Sequence, residues 1–386
     1  MRVLISGGGT GGHVYPALSV AALLQEMYQA DILYLGSDEG LETQLVPAAG
    51  LRMEVIKAGK LQRYLSWKTL VGVARVPVGV AQAVRIVRAF KPDVAFTSGG
   101  YVAVPAGLAA RLNGVPLLMH QQDVPPNLSN RLIAPLATRI SVAFADSLRY
   151  FPAHKTVQLG NPARQAVLAM RGVPPPQART NLGLDPQLPL LLVTGGSQGA
   201  RHLNQVTCQA LPQLLTVCQV LHISGTKLFD ETRALADSAL ATTDASLQGR
   251  YRLEPYMSAE MPQALQAADL VLCRAGAATL SELALLGKPA LLVPLPPAIG
   301  GSPQEVNAEM FARNQAGEVI SDVNLSPEVY ANRVMSMISS PASLLAMSEA
   351  ASKLAKPDAA REIVETIVSM ARTTVDRTPK HEVISI

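Results

Sequence analysis

The sequence predicts an α/β protein made of two Rossmann-like, parallel-sheet domains facing each other across a cleft. Three observations carry this expectation. Two glycine-rich turns lie about half a chain apart, each after an apolar strand and before a helix: Val3–Ser6 runs into GGGTGGHVYPA (Gly7–Ala17), and Leu190–Thr194 into GGSQGARHLNQ (Gly195–Gln205). Short runs, apolar on both faces, alternate with helical stretches, as a buried parallel sheet demands. The 386 residues also suffice for two domains with separate cores.

Taken in order, Val3–Ser6 reads as a strand and Pro16–Gln25 as a helix with Leu18, Ala21, Ala22 and Leu24 on its apolar side. Strands follow at Asp31–Leu35, at Asp93–Phe96, which leads to the turn Ser98-Gly99-Gly100, and at Val115–Met119, which ends at His120. The turn Gly160-Asn161-Pro162 closes this block, so a first domain is expected over residues 1–162. The proline-rich stretch Val173–Pro176 reads as a linker or long loop. Alternation restarts at Leu190 and continues through Val220–Ser224, Tyr251–Leu253, Leu270–Cys273 and Ala290–Pro294, giving a second domain over 163–342. An amphipathic helical segment, 343–372, is expected to return to the first domain, and 373–386 reads as a tail.

Composition excludes several classes. With 48% hydrophobic and 16% charged residues the chain is globular, not disordered. Only 4% of residues are aromatic, which argues against stacking platforms for nucleic acid. The net charge of +4 is compatible with an anionic ligand or an anionic membrane surface. Cys208, Cys218 and Cys273 show no metal-ligand spacing and read as reduced thiols. The most apolar stretch, Leu70–Val87, is interrupted by Arg75, Pro77 and Arg85, and Met1-Arg2 leads straight into a strand. A soluble or peripheral protein is expected.

The first turn satisfies GxGxxG through Gly7, Gly9 and Gly12, and Asp38 or Glu39 falls near the place of a ribose-binding acid. That pattern also fits an NAD-dependent dehydrogenase. No Lys-Ser or Lys-Thr follows, so the turn is not a P-loop. His13 stands directly after the turn at a helix start, where a neutral imidazole accepts a proton near neutral pH; a capping or surface histidine is the alternative. In CRAGAATLSE (Cys273–Glu282), Gly276 supplies a turn and the helix starts at Ala277–Thr279, which puts Glu282 near a ligand at the helix start. Two carboxylate oxygens match the cis-diol of a ribose, although an acid there also complements the helix dipole. The chain holds no Asp-x-Asp pair of the kind that clamps a diphosphate through a divalent metal. Phosphate charge then falls to helix N-termini and to basic residues such as Arg164, with no metal and no cofactor expected.

Together, GGGTGGHVYPA, SGGYVAVPAGLAA (Ser98–Ala110), LGNPAR (Leu159–Arg164), GGSQGARHLNQ and CRAGAATLSE resemble glycosyltransferase family 28, in particular its transferases that add N-acetylglucosamine from UDP-GlcNAc to undecaprenyl-linked lipid I. The resemblance runs over essentially the whole chain, with the motifs in order. It implies a GT-B fold whose C-terminal domain binds most of the donor, and inverting, metal-independent transfer that yields lipid II. A diacylglycerol-type acceptor on the same architecture is the nearest alternative.

Carried to matching positions, the resemblance puts Ser197 and Arg164 at donor phosphate or sugar. Gly276, Ala277, Ala278 and Thr279 cradle the nucleotide, Leu280 and Ser281 continue that helix, and Glu282 holds the ribose. Tyr256 and Met257 lie against uracil, and Gln304 and Asn307 near the sugar. Thr10, Gly11 and Gly12 count as donor contacts that also face the acceptor pyrophosphate, and His13 is the base. Gly9, Gly99, Gly100, Tyr101 and His120 fall on the acceptor side, and Asp123 among the donor contacts. Two departures stand out. Where the family reads His-Glu-Gln-Asn, this chain has His120-Gln121-Gln122-Asp123, losing a carboxylate and replacing an amide by one. The loop Pro294–Pro303 is proline-rich, with Pro303 before Gln304 where a polar residue often stands. The resemblance also implies work at the cytoplasmic face of the plasma membrane beside cell-wall synthesis proteins. The segment from Tyr64 to Phe90, with Trp67, Lys68, Arg75, Arg85 and Arg88 and with Arg63 just before it, reads as a membrane-docking face or as an ordinary packed helix pair.

Overall fold

The computed structural model describes residues 1–58, 67–196, 198–296 and 304–375, leaving aside the side chains of 67–76 and 374–375. The chain divides into two units, one of Met1–Ala163 with the segment that begins at Asp358, the other of Arg164–Pro357.

In the first unit the strands are β1 (Arg2–Ser6), β2 (Asp31–Ser37), β3 (Arg52–Ile56), β4 (Val94–Thr97), β5 (Leu117–Gln121), β6 (Arg139–Val142) and β7 (Thr156–Gln158). The helices are α1 (Gly11–Tyr28), α2 (Glu42–Ala48), α3 (Trp67–Phe90), α4 (Ala103–Leu112) and α5 (Leu128–Ile133). Among the described residues the strands form one sheet in the order β3-β2-β1-β4-β5-β6-β7, every pair parallel. Val3 of β1 lies in register with Ile32 on one side and Val94 on the other. Burial on both faces explains the near-continuous apolar strands: β1 has Val3 and Ile5 in one core with α1, and Leu4 in another with α3 and α4.

The second unit repeats the plan with β8 (Leu190–Thr194), β9 (Gln219–Ile223), β10 (Tyr251–Glu254), β11 (Leu270–Cys273), β12 (Ala290–Leu292) and β13 (Gly317–Val319). Its described strands run β10-β9-β8-β11-β12-β13, again all parallel. Around them lie α6 (Gln165–Ala169), α7 (Pro175–Asn181), α8 (Arg201–Leu214), α9 (Phe229–Leu240), α10 (Ala245–Gln248), α11 (Met261–Ala267), α12 (Ala277–Leu286), α13 (Gln304–Arg313), α14 (Pro327–Ile338) and α15 (Pro341–Lys353).

Both sheets reverse strand order beside their first strand, between β1 and β4 and between β8 and β11. In an open parallel sheet that switch point leaves a crevice at the carboxyl ends of the strands, where ligands bind. Each glycine turn leaves its sheet at such a point.

The stretch Val173–Pro176, expected as linker or loop, instead starts α7, with Pro174 as the N-cap and prolines in the first positions of the helix. Proline fits there because its fixed φ suits the helix and the N–H it lacks has no partner in the first turn. The C-terminal segment is two helices, not one. α15 stays with the second unit, whereas α16 (Ala359–Val375), which follows Pro357, belongs to the first. There Ile363, Val364, Ile367, Val368 and Ala371 form a helical stripe buried with Val20 and Leu24 of α1.

Candidate active site

In the first unit the turn after β1 ends at Thr10, whose extended backbone caps α1 without a side-chain hydrogen bond. Gly11, Gly12 and His13 form the first helical turn and are half-buried. The amides of His13 and Val14 bond the Thr10 carbonyl. Those of Gly11 and Gly12 come too early in the helix for an intrahelical acceptor, so they can meet an anion.

His13 is held from the next loop. Its Nδ1 lies 3.0 Å from the Ser98 carbonyl, and the Ser98 hydroxyl donates to the His13 carbonyl at 2.7 Å. When Nδ1 donates to that carbonyl, which only accepts, the lone pair sits on Nε2, the form a general base needs; the Gln122 amide nitrogen, 3.3 Å from Nδ1, is the competing donor. The Gln122 amide donates to the same Ser98 carbonyl at 2.9 Å. Burial lowers the His13 pKa, opposed by the Asp123 charge, the Ser98 carbonyl and Glu42. Gly99 and Gly100 have φ of 103° and 87°, a region side chains avoid. A Cβ on Gly99 would stand 3.0 Å from two atoms of the imidazole, and one on Gly100 would run into the Gly8 carbonyl. Tyr101 packs against Gly9, and its hydroxyl lies 2.6 Å from Ser37 Oγ.

The structure reassigns several sequence expectations. Asp38 and Glu39 are exposed; the acid that points inward is Glu42, fully buried, whose Oε2 accepts the Gly9 amide at 2.9 Å. With that amide taken by a carboxylate, Gly9 does not offer it to a phosphate, whereas Gly11 and Gly12 still can offer theirs. His120, expected on the acceptor side, is fully buried in β5, with Nδ1 3.0 Å from Ser141 Oγ and Nε2 3.2 Å from Asn161 Oδ1, and burial lowers its pKa to about 4. It fastens β5 to β6 and to the loop that closes the first domain. Gln121 is a fastener too: its amide donates to the Asp123 and Pro125 carbonyls and its oxygen accepts from Asn130 at 2.7 Å. An ionised glutamate makes neither donation. Asp123 is buried within electrostatic reach of His13.

In the second unit, Ser197 lies outside the described residues, as does 297–303 of the proline-rich loop. Gly276 ends the β11 turn with φ −69° and ψ 140°, a conformation any residue adopts, and a Cβ there would meet nothing within 4 Å. Neither the backbone conformation nor the space around an added Cβ requires glycine here. The Leu280 amide bonds the Gly276 carbonyl at 3.0 Å, which leaves those of Ala277, Ala278 and Thr279 unpaired within the helix. The side chains divide: Ala277 and Leu280 are buried, Ala278 and Thr279 half-buried, and the Ser281 hydroxyl turns back to the Ala277 carbonyl. One turn on, Glu282 pairs with Arg164, Nε to Oε1 at 2.9 Å and a terminal nitrogen to Oε2 at 3.1 Å. The bidentate pair leaves each carboxylate oxygen a further lone pair for a diol.

Met257 is buried after β10 while Tyr256 is exposed. Asn307 is buried, with its amide on the Ala275 carbonyl at 3.1 Å, and Gln304 accepts the Leu295 amide at 3.0 Å. Both therefore brace the loops at the carboxyl ends of β11 and β12. Arg274 does the same through Asp322, which also meets His202. Among the described residues no three His, Cys, Asp or Glu side chains gather to hold a metal, and no helix is long and apolar enough to cross a membrane.

Two Rossmann-like units in one chain, each with a glycine turn at its switch point, define the GT-B class of nucleotide-sugar enzymes. Residues 3–142 match the glycosyltransferase family 28 N-terminal domain and residues 190–363 the glycosyltransferase family 28 C-terminal domain. The chain belongs to glycosyltransferase family 28. A relative from Desulforudis audaxviator is 39% identical over 96% of this chain and 99% of its own, and is named UDP-N-acetylglucosamine--N-acetylmuramyl-(pentapeptide) pyrophosphoryl-undecaprenol N-acetylglucosamine transferase. One of the same name from Caldanaerobacter subterraneus is 36% identical over 95% and 99%. Among solved structures, MurG of Acinetobacter baumannii superposes with a TM-score of 0.76 at 29% identity, covering 95% of this chain and 99% of that one. The UDP-GlcNAc 2-epimerase of Neisseria meningitidis, at 14% identity and a TM-score of 0.67 over 96% and 100%, shares the fold.

Proposed function

We propose that this chain transfers N-acetylglucosamine from UDP-GlcNAc to the muramoyl sugar of lipid I, giving lipid II and UDP. The observation that carries this reading is the 39% identity to a transferase of that name across 96% of the chain. The family excludes the dehydrogenase alternative, and the relatives' names disfavour a diacylglycerol acceptor.

The mechanism is a single displacement. The acceptor hydroxyl oxygen bonds to the anomeric carbon as the bond to the UDP β-phosphate oxygen breaks, with inversion, and the hydroxyl proton passes to His13 Nε2. Charge developing on the diphosphate meets the free amides of α12 and the guanidinium of Arg164, while Glu282 takes the ribose. Ser197 and Met257 join the donor side, with Gln304 and Asn307 holding its loops. The amides of Gly11 and Gly12, beside Thr10, suit the acceptor pyrophosphate.

The enzyme works at the inner face of the membrane, peripherally. The described end of α3 supports this: Val80 and Val84 line an open, mostly apolar pocket of about 730 Å³ with Leu112 of α4, edged by Arg85 and Arg88. Apolar contact rimmed by cations suits an anionic leaflet. The segment 59–66 before it lies outside the described residues. Transfer of labelled GlcNAc to lipid I, measured against diacylglycerol with and without a chelator, tests the proposal. Label in diacylglycerol, or none in lipid I, overturns it.

A further inference from the structure

Glu42 opens α2 and is completely buried, whereas Asp38 and Glu39 nearby face solvent. A carboxylate removed from water costs several kcal/mol unless strong donors meet it. Here they do. Oε2 accepts the Gly9 amide at 2.9 Å, and Oε1 accepts the Ser37 hydroxyl at 2.7 Å. The group also fills the space behind the turn, since a Cβ on Gly8 would stand 2.6 Å from Oε1. Ser37 links onward to Tyr101, and the Tyr34 hydroxyl donates to the Gly7 carbonyl, so the turn is fastened from β2, α2 and the loop after β4.

The second glycine turn is braced differently. The Gly196 amide bonds Thr194 Oγ1 at 3.1 Å and the Gly199 amide bonds the Gly196 carbonyl at 3.0 Å, both neutral acceptors. An anion behind a glycine turn favours a cation in front of it. In this unit the group in front is the imidazole that must take up a proton.

We propose that Glu42 is the positioning residue of the first glycine turn: its buried carboxylate draws the Gly9 amide inward, sets the turn to present His13, and stabilises the imidazolium formed during transfer. The inference rests on the reading of His13 as the base. The charged or titrating groups around that imidazole are Glu42 from α2, Asp123 from the loop after β5, and His120 in β5, which stays neutral. Burial opposes protonation of His13, and the two carboxylates favour it.

The test uses the full chain with Glu42→Gln and Glu42→Ala. A glutamine keeps the shape: its oxygen accepts the Gly9 amide and its nitrogen donates to Ser37, so only the charge is lost. NMR titration of the His13 ring in Glu42→Gln should move to lower pH by about half a unit or more, with kcat down about tenfold. Glu42→Ala should lose about a hundredfold in kcat while UDP affinity, a property of the second unit, stays within twofold. An unmoved His13 titration, wild-type kcat in Glu42→Ala, or parallel loss of UDP affinity and kcat overturns the proposal. Should Glu42→Ala not fold, Glu42→Gln decides alone. If the wild-type chain fails to label lipid I, the transferase reading falls, while the titration still decides what Glu42 does to His13.

Discussion

Gly99→Ala probes the seat of the imidazole without replacing a titrating group. At φ 103° an alanine is strained by about 1–3 kcal/mol. Its Cβ would stand 3.0 Å from Cε1 and Nδ1 of His13, so the ring must shift by a few tenths of an ångström. The 3.0 Å bond from Nδ1 to the Ser98 carbonyl then lengthens, loosening both tautomer and aim. A net cost of about 2 kcal/mol lowers Tm by roughly 4–8 °C for a unit of this size. At 25 °C the fold persists, and misplacing the base should cost kcat about a hundredfold. Steady-state transfer kinetics, a thermal melt and UDP calorimetry read the three effects separately, with UDP affinity unchanged. A double-mutant cycle sharpens the test: after His13→Ala the methyl group has room, so Gly99→Ala should add little to the kinetic loss. Additive losses, or wild-type kcat beside a lowered Tm, would refute the claim that Gly99 acts through His13.

Gly276→Ala tests the donor side in the opposite way. The backbone permits it and nothing lies within 4 Å of the added Cβ, so loss of a glycine N-cap should lower Tm by no more than about 2–4 °C while UDP affinity falls about tenfold; intact affinity counts against close ligand approach there. Acid should weaken both units. His120 and His222 are held neutral in the fold, to about 4 and about 3, by burial, while the unfolded chain binds protons below about 6.5. Folded pKa values below the unfolded value mean full stability above pH 6.5, lost as pH falls toward 4, by about 2 kcal/mol per histidine at pH 5. Thermal melts at pH 7 and pH 5 measure this, and His222→Gln should flatten the pH slope of the second unit's transition. An unchanged slope removes His222 from the account.

Much of the fold was legible because buried parallel strands and glycine turns carry strong local signals. Leu190–Thr194 and Leu270–Cys273 are apolar on both faces, and each ends at a turn that the backbone demands. The strands β3, β6, β7 and β13 escaped notice because they are short and polar at their ends: β3 is Arg-Met-Glu-Val-Ile and only half-buried, and β7 is Thr-Val-Gln. Prolines misled at α7, where the same chemistry that breaks a helix interior suits its first turn.

The site divides along the same line. His13, Gly276 and Glu282 stand beside the turns that announce them, so spacing alone places them. What braces His13 does not. Ser98, Gln122 and Glu42 arrive from three other segments, brought to the turn by the registers of β1 with β4 and of β4 with β5 and by burial of the start of α2. The same reasoning separates the two glycine turns, which are near-equivalents as sequence. A buried carboxylate binds an amide of the first, while the second rests on a hydroxyl and a carbonyl. Among the described residues that contrast in local field fits the role proposed for the first turn, where a buried carboxylate favours the imidazolium that forms when His13 takes up a proton.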